Sequence, residues 1–303
     1  MKKGYFLVFL TAVISGISIF INKFGVAVIN SNVFTFLKNL VVAVLLSGLL
    51  IIFKDWQKLK KLTKKHWFLL ISIGLVGGSI PFLLFLRGLS LINAVQGSFW
   101  HKTMFIYVII LASIFLKEKI DKKFLLGGLL LLLGNLVLLN KLPIAINKGD
   151  VLVILATIFW AIENIISKYA LRETEPRIVA WARMFFGSLF IFLFLITTNQ
   201  LGLIGSLGFK QISWVLVSGI LLLGYAITWY EGLKTVPVSQ ATVILILGLP
   251  ITTFLSFVAG GKVGLQEILS GVLIILGVML VLGLKEVWQI IKQTKKLFYA
   301  FRA

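Results

Sequence analysis

Ten apolar runs divide the chain, and each is about as long as a helix that crosses a membrane. A hydrocarbon core about 30 Å thick requires about 20 apolar residues in a helix. Runs of this size predict ten transmembrane helices at 4–22, 33–53, 67–87, 94–116, 123–140, 150–170, 177–198, 212–231, 238–259 and 266–284. The runs are about twice the length of a membrane β-strand and do not alternate, which excludes a β-barrel. With 59% hydrophobic residues, the chain is predicted to be an all-α integral membrane protein.

The positive charges fall mainly on one side of these predicted helices. Of the 30 lysine and arginine residues, 20 lie in loops and termini on that side. They are Lys2, Lys3, Lys54, Lys58, Lys60, Lys61, Lys64, Lys65, Lys117, Lys119, Lys122, Lys123, Arg172, Arg177, Lys234, Lys285, Lys292, Lys295, Lys296 and Arg302. The other side has Lys141, Lys148, Lys210 and Lys262. Because cytoplasmic loops collect lysine and arginine, we predict a protein of the cytoplasmic membrane with both termini inside the cell.

The composition and motifs of the sequence exclude several classes of function. The absence of cysteine excludes disulfides, thiolate catalysis and thiolate metal sites. The net charge of +20 is explained by membrane topology, so we expect no nucleic-acid partner. The sequence has no Ser/His/Asp set, metal-binding cluster or Gly-rich nucleotide loop, so we expect neither an enzyme nor a cofactor. The first run follows only three residues and lacks a small-residue cleavage site, so we expect it to be retained as a helix.

The two halves of the chain resemble each other at a shift of about 145 residues. "KGYFLVFL" from Lys3 aligns with "KGDVLVIL" from Lys148, and Lys23 aligns with Lys168. Gln96 aligns with Gln240 at a shift of 144. Since each repeat has five spans, an odd number, the second enters the membrane from the opposite face. The halves are therefore predicted to be inverted repeats, the architecture that favours alternating access.

With these features the chain resembles the drug/metabolite transporter superfamily, of the EamA type. The resemblance rests on the five-plus-five repeat, on the cations Lys38 and Arg183 early in the second helix of each repeat, and on three motifs. These are "FLKEKI" before Gly127, "GLP" at 248–250 and "SGVLIILGVMLVL" in the last span. The resemblance implies a central cavity formed mainly by spans 1, 3, 4, 6, 8 and 9, and transport of small metabolites such as amino acids. Pro250 has no counterpart in the fourth span, where "HKTMF" stands instead.

Three ionisable residues inside the predicted spans are candidate functional groups. Glu163 is the one acid clearly inside a span, so it should be paired or protonated, either in a proton-coupling or substrate site or in a structural pair. Lys102 either extends to the outer interface, pairs with Glu163 or binds an anionic substrate group, and we favour the last two. Neutral His101 either donates a hydrogen bond to a neighbouring helix or takes part in a proton relay.

Other candidates are polar or aromatic residues on spans proposed to face the cavity. Trp160, one turn from Glu163, is the best aromatic candidate for the cavity. The proposed substrate and coupling cavity also contains Asn164, Trp100, Tyr225, Gln96 and Gln240. Lys38 and Arg183 are interpreted as anchors whose side chains extend to the membrane faces, and Trp229 and Tyr230 as residues of an interfacial aromatic belt. Pro81 and Pro250 are predicted hinges.

Together these features predict two repeats, 1–145 and 146–284, followed by a basic amphipathic cytoplasmic tail at 285–303. The predicted function is a secondary transporter that moves an amino-acid-like or drug-like metabolite by alternating access, with proton coupling as one possible drive. A membrane receptor or assembly partner that does not transport, and a membrane enzyme, are the alternatives. The expected partners are a small-molecule substrate, protons and membrane lipids, and the chain is expected to be a monomer or a homodimer.

Overall fold

The computed structural model describes residues 2–139, 146–261 and 264–300, and every regular element in these ranges is helical. The first eight α-helices are α1 Lys2–Val28, α2 Ser31–Ile52, α3 Trp56–Leu59, α4 Lys64–Ile73, α5 Ile80–Leu91, α6 Ala94–Lys102, α7 Met104–Leu111 and α8 Lys122–Leu139. The next seven are α9 Lys148–Ala170, α10 Pro176–Thr197, α11 Phe209–Thr235, α12 Val238–Leu245, α13 Gly248–Val258, α14 Leu265–Leu282 and α15 Leu284–Ala300. π-Helical turns at Gly74–Ser79 and Ala112–Leu116 follow α4 and α7, and a 3-10 turn at Leu201–Ile204 precedes α11.

Nine helical stretches within the described ranges are long and apolar enough to cross a membrane. They confirm the predicted class, an all-helical membrane protein. The fourth and ninth predicted spans each consist of two helices with a short break, α6 with α7 and α12 with α13. The fifth predicted span, 123–140, corresponds to α8, which has 18 residues and ends at the edge of the described range. It is not among the nine, so the count of ten stays a prediction.

Two helices extend beyond their apolar runs, and polar side chains cap the starts of two others. α1 and α11 each have 27 residues, more than their apolar runs. The Asn30 side chain accepts hydrogen bonds from the first backbone amides of α2, and Asn93 does the same for α6. Such caps satisfy amide groups that the helix leaves unpaired, so the polar cap rather than the hydrophobic run fixes where the helix starts.

Glycines bring the long helices into close contact. A Cβ atom at Gly88 in α5 would lie 2.7 Å from the carbonyl oxygen of Gly149 in α9. Similarly, a Cβ atom at Gly232 in α11 would lie 3.1 Å from the carbonyl oxygen of Gly4 in α1. Small residues permit this approach in membrane helices, where packing rather than hydrophobic burial holds helices together. The two crossings hold α1, α5, α9 and α11 around one central space.

Irregular backbone in the third span exposes carbonyl groups toward that space. Pro81, in the first turn of α5, has no amide hydrogen to donate to the Gly77 carbonyl four residues earlier. The Gly77 oxygen instead accepts hydrogen bonds from the side chains of Trp160 (3.0 Å) and Arg183 (3.1 Å). The Gly78 oxygen accepts one from Asn39 at 2.8 Å. Side chains therefore replace the hydrogen bonds lost at the π-helical turn, as irregular membrane backbone requires.

Parts of several predictions lie outside the described residues. These are the loop cations Lys141, Lys262 and Arg302 and the boundary between the repeats at residue 145. The described part of the predicted tail forms α15, which packs against α1 and α14. Leu284 and Trp288 in α15 are exposed. The predicted position of this tail on the cytoplasmic leaflet stays a prediction.

Candidate functional site

A cavity of about 580 Å³, including its opening, lies among helices from both halves of the chain. Its walls come from α1, α2 and α5–α7 in the first half and from α9–α11 in the second. The resemblance implied a wall formed by spans 1, 3, 4, 6, 8 and 9. The structure differs, because α2 and α10, the second and seventh spans, contribute Lys38 and Arg183, and no residue of the ninth span lines the space.

Glu163 lies on α9, and its side chain is buried. Its carboxylate accepts a hydrogen bond from the Tyr230 hydroxyl at 2.6 Å and another from the Ser167 hydroxyl one turn later. The Arg183 guanidinium lies 4.0 Å from the second carboxylate oxygen. Hydroxyl donors and a nearby cation compensate the carboxylate for the loss of water. The acid is therefore part of a paired, hydrogen-bonded group on the cavity wall.

Lys38 and Arg183 do not extend to the membrane faces, so their interpretation as surface anchors was wrong. Their side chains are 1% and 3% exposed. Arg183 donates hydrogen bonds to the Gly77 carbonyl and the Tyr230 hydroxyl, and it also lies over the Phe82 ring. The Lys38 ammonium lies 4.9 Å from the centre of the same ring. Their positions within the apolar runs were compatible with either a membrane face or the protein interior. In the structure, α2 and α10 direct both side chains toward the cavity.

Aromatic side chains form one wall. The Trp160 ring lies 5.2 Å from Phe82, 5.3 Å from Phe85 and 5.0 Å from His101, measured between ring centres. Three pairs among these four rings meet edge to face, a favourable arrangement for aromatic pairs. His101 is buried, and its Nδ1 atom has no hydrogen-bond partner among the described residues. The wall thus offers apolar ring surface together with an unsatisfied nitrogen.

Lys102 is buried behind this wall and does not pair with Glu163. Its ammonium donates a hydrogen bond to the Ser15 hydroxyl at 2.8 Å, and Ser15 itself lines the cavity. A Cβ atom at Gly248 would lie 3.0 Å from the same ammonium, so the glycine leaves room for it where α13 begins. With an exposure of 2%, Lys102 also does not reach the outer interface. It is held at the point where the ninth span is interrupted.

Tyr225 of α11 lines the cavity, and Trp229 and Tyr230 of the same helix contact residues of its lining. Asn164 accepts a hydrogen bond from the Trp229 indole at 3.2 Å. Trp229 stacks on Tyr225, and the Tyr230 hydroxyl reaches Glu163. Both Trp229 and Tyr230 are fully buried, so the prediction of an interfacial belt was wrong for them. Their indole and hydroxyl groups find partners inside the protein instead of at the lipid headgroups.

Four of the nine residues predicted for the cavity do not line it. Gln96 and Trp100 each donate a hydrogen bond of 2.6 Å to the Asp150 carboxylate. Gln240 accepts one of 2.6 Å from the Tyr5 hydroxyl. With Lys102 they lie outside the lining, whereas His101, Trp160, Glu163, Asn164 and Tyr225 are part of it.

Sequence reasoning missed several lining residues. Ser15, Ser18 and Asn22 line the cavity from α1, and Phe82 and Phe85 line it from α5. The α1 residues carried one signal, a polar side chain at each turn of an apolar run. The two phenylalanines carried none, because phenylalanine is equally suited to lipid-facing positions.

A second charged cluster joins helix ends outside the spans. Asp55 lies 2.6 Å from Arg177 and 3.1 Å from Lys58, and Glu175 lies 3.3 Å from both Lys58 and Lys234. Burial raises the pKa of Asp55, but hydrogen bonds and charge from Arg177 and Lys58 lower it more, so the net shift is downward. The cluster connects the α2–α3 junction with the start of α10 and the end of α11.

The sequence matches the EamA-like transporter family twice, over residues 2–140 and again over residues 147–283. The chain belongs to this family. The match confirms the resemblance to the drug/metabolite transporter superfamily. It also indicates a multi-pass membrane transporter rather than an enzyme.

Individual relatives are distant but extend over most of the chain. The uncharacterized transporter YyaM of Bacillus subtilis is 23% identical over 249 residues, which cover 78% of this chain and 79% of the relative. The riboflavin transporter ImpX of Fusobacterium nucleatum is 25% identical over 248 residues, which cover 75% and 80%. One crystal structure of a protein matches 93% of this chain and 98% of its own with a TM-score of 0.74 at 16% identity, which shows a shared fold. Relatives named as transporters imply a small-molecule substrate.

Proposed function

We propose that this protein is a secondary transporter that moves a small organic metabolite, amino-acid-like or drug-like, across the cytoplasmic membrane by alternating access. The observation that carries this proposal is the cavity among helices of both halves, with the buried side chains of Lys38, Glu163 and Arg183 in its walls. Ionisable groups inside a membrane are costly and usually mark a substrate or ion path. The family membership of the chain supports the same function.

In this proposal, ten helices form two inverted repeats, residues 1–145 and 146–284, followed by the tail 285–303. Contacts at matching positions support it. Lys23 at the end of the first span donates a hydrogen bond of 2.9 Å to the Leu89 carbonyl. Its counterpart Lys168 donates one of 2.6 Å to the Leu233 carbonyl, at a shift of 144 from Leu89. In each half, the lysine at this equivalent position therefore joins the first span to the third span.

A second pair of equivalent hydrogen bonds links the two halves of the chain. The hydrogen bond between Gln96 and Asp150 corresponds to that between Gln240 and Tyr5, with shifts of 144 and 145 residues. Each of these joins a fourth span of one half to the first span of the other. Such exchange between halves is expected when a pseudo-two-fold axis relates them.

The interrupted helices support a site at the centre of this arrangement. The fourth span breaks at Thr103, and the ninth breaks at Ile246 and Leu247, which lies 144 residues after Thr103. Broken helices beside a binding site are typical of transporters built from inverted repeats. Pro250 follows the second break, and Pro81 follows the π-helical turn in the third span, so we propose both as hinge positions.

Orientation is testable because the chain contains no cysteine. A single cysteine at Lys210→Cys is expected to react with a membrane-impermeant maleimide on intact cells. A cysteine at Lys60→Cys is expected to react only after the cells are opened. Both positions are exposed, so accessibility reports the side of the membrane. The reverse pattern would contradict termini inside the cell.

Transport is tested by flux into liposomes that contain the purified protein. The panel contains amino acids, amines, organic anions and riboflavin, the last because one relative is named a riboflavin transporter. Saturable uptake of at least one solute is expected, with empty liposomes as the control. Protein that elutes as a single folded species yet moves no solute would count against the proposal.

We propose proton exchange at Glu163 as the drive, because it is the only carboxylate on the described lining of the cavity. Glu163→Gln is then expected to abolish uptake driven by a pH gradient while exchange of labelled for unlabelled substrate continues. Glu231→Gln, an acid of α11 outside the cavity lining, is the matched control. Equal loss of both kinds of flux in Glu163→Gln would assign the residue to substrate binding instead.

A further inference from the structure

We propose that the cavity binds a solute with a planar aromatic body and one anionic group, and that Lys38 holds the anion. The proposal rests on the transport function above and specifies the substrate class of the same site.

The charges on the cavity wall do not balance. Lys38 and Arg183 are positive and Glu163 is the one carboxylate, so the described lining has a formal charge of +1. Arg183 is placed 4.0 Å from Glu163. Lys38 forms no ion pair with any carboxylate among the described residues, and its ammonium lies 5.7 Å and 4.9 Å from the ring centres of Phe34 and Phe82. The unpaired positive charge on the wall therefore belongs to Lys38.

A buried ammonium without a counter-ion favours an anionic ligand. Removal of a cation from water is costly, and a ring face returns only part of that loss. An anion that enters the cavity supplies the missing partner, and its attraction is strong because little water separates the charges. Lys102, which is hydrogen-bonded to Ser15 behind the wall, is also positively charged. It increases the excess of positive over negative charge near the cavity.

A cationic solute finds no free acid in the described lining. Glu163 already accepts hydrogen bonds from Tyr230 and Ser167 and faces Arg183. An amine could pair with it only by displacing these groups, and it would also meet the field of Lys38. The existing contacts therefore favour a negative over a positive solute charge.

The walls indicate the rest of the solute. Phe82, Phe85 and Trp160 present ring surfaces, and aromatic pairs are favourable when faces and edges meet. His101 Nδ1 and Asn22 Oδ1 are buried atoms without hydrogen-bond partners among the described residues, and both residues line the cavity. A few polar atoms in an apolar pocket orient a ligand whose body is mostly apolar. These features fit a planar ring with a polar substituent.

Binding of four matched probes to the purified protein, measured by calorimetry in detergent, tests this proposal. Phenylacetate has the ring and the charge, phenylacetamide has the ring without charge, phenethylamine has the opposite charge, and cyclohexylacetate lacks the aromatic ring. Phenylacetate is expected to bind at least tenfold more tightly than each of the other three. Tighter binding of phenethylamine, or no binding of phenylacetate at millimolar concentration, would overturn the proposal.

Substitution of Lys38 tests its role. Lys38→Met removes the charge and keeps an unbranched side chain that is one heavy atom shorter, so it is expected to weaken phenylacetate binding at least tenfold and phenylacetamide binding less than twofold. Lys38→Arg is expected to retain preference for the anion. The control Lys23→Met removes a cation that contacts the Leu89 carbonyl outside the cavity, and it should leave all four affinities within twofold. Unchanged phenylacetate affinity in Lys38→Met would show that another group holds the anion.

The two proposals fail in different ways. Flux of amines alone would leave the transport function standing and overturn the anionic substrate class. Selective binding of phenylacetate by a protein that moves no solute would support the anionic ligand class and overturn the transport function. If Lys38→Met does not fold, the comparison of the four probes on the unsubstituted protein still decides the substrate class.

Discussion

The ion pair between Glu163 and Arg183 predicts how much stability one charge contributes inside this protein. Glu163→Gln removes the carboxylate charge but keeps an oxygen that accepts hydrogen bonds from Tyr230 and Ser167. At a separation of 4.0 Å, the gross attraction is about 4 kcal/mol for an effective dielectric constant of about 20. Removal of one partner from a buried pair costs about 3–5 kcal/mol, because the other charge is left uncompensated. Arg183 keeps its bonds to Gly77 and Tyr230, so we expect the lower value, about 3 kcal/mol.

Thermal unfolding in detergent, followed by tryptophan fluorescence, measures this change. In a chain of this size 1 kcal/mol corresponds to about 2–4 °C in Tm, so Glu163→Gln is expected to lower Tm by about 6–12 °C. Glu231→Gln, at an acid of α11 that forms no ion pair among the described residues, is the control and should change Tm by less than about 2 °C.

A double-mutant cycle separates the pair from other effects of the substitution. The variant Glu163→Gln with Arg183→Gln removes both charges, so it should be more stable than the sum of the two single losses predicts. A coupling of about 1–3 kcal/mol is expected for groups in direct contact within one network. If Glu163→Gln unfolds within about 2 °C of the unsubstituted protein, or if the two losses simply add, the interpretation of the pair as a stabilising contact is wrong.

Three other substitutions test the packing and charge of the fold by the same unfolding assay. Lys102→Met removes a buried ammonium that has no carboxylate partner among the described residues, so stability should stay the same or rise by about 1 kcal/mol; a loss above about 2 kcal/mol would show that the charge is compensated. Gly88→Ala places a methyl group 2.7 Å from a carbonyl oxygen of the opposing helix and should cost about 1–3 kcal/mol, whereas Gly128→Ala has no neighbour within 4 Å and should be neutral or stabilising. The pKa of Asp55 is lower in the folded than in the unfolded state. The carboxylate therefore stabilises the fold above the unfolded-state pKa of about 4, and this stabilisation is lost as the pH falls through the folded-state pKa. Asp55→Asn should therefore cost about 1–2 kcal/mol at neutral pH and progressively less as the pH falls below about 4, and a loss that does not change with pH would contradict the ion pair with Arg177.

The number and length of the apolar runs were sufficient to predict the class of fold. Helices in lipid must satisfy their backbone hydrogen bonds internally, so a run of about 20 apolar residues has few alternatives. The breaks at Thr103 and at Ile246 were not predicted from local sequence, because "HKTMF" contains no helix breaker and Pro250 lies beyond its break. Tertiary contacts, including the Lys102 ammonium beside Gly248, accompany both breaks.

The direction in which a side chain points around its helix was difficult to predict from the sequence. Glu163 and Trp160 were predicted to face the cavity, and both line it. Trp229 and Tyr230 were assigned to the interface from their position near the end of a run, but α11 continues to Thr235 and turns both side chains inward. In a soluble helix a polar face shows which side is outside, but here lipid-facing and buried faces are both apolar, so the sequence lacks that contrast.

The comparison of Lys38 with Arg183 shows where the repeat alone is insufficient. The two residues align at a shift of 145, so the sequence predicts equivalent positions and gives no reason to separate them. The structure gives them different surroundings, because α9 supplies Glu163 beside Arg183 whereas Lys38 lies against aromatic rings. The residue that aligns with Glu163 is Ser18, which also lines the cavity but carries no charge. An acid in one half and a serine in the other thus turn a symmetric pair of cations into one paired and one unpaired charge, and the proposed preference for an anion rests on this asymmetry.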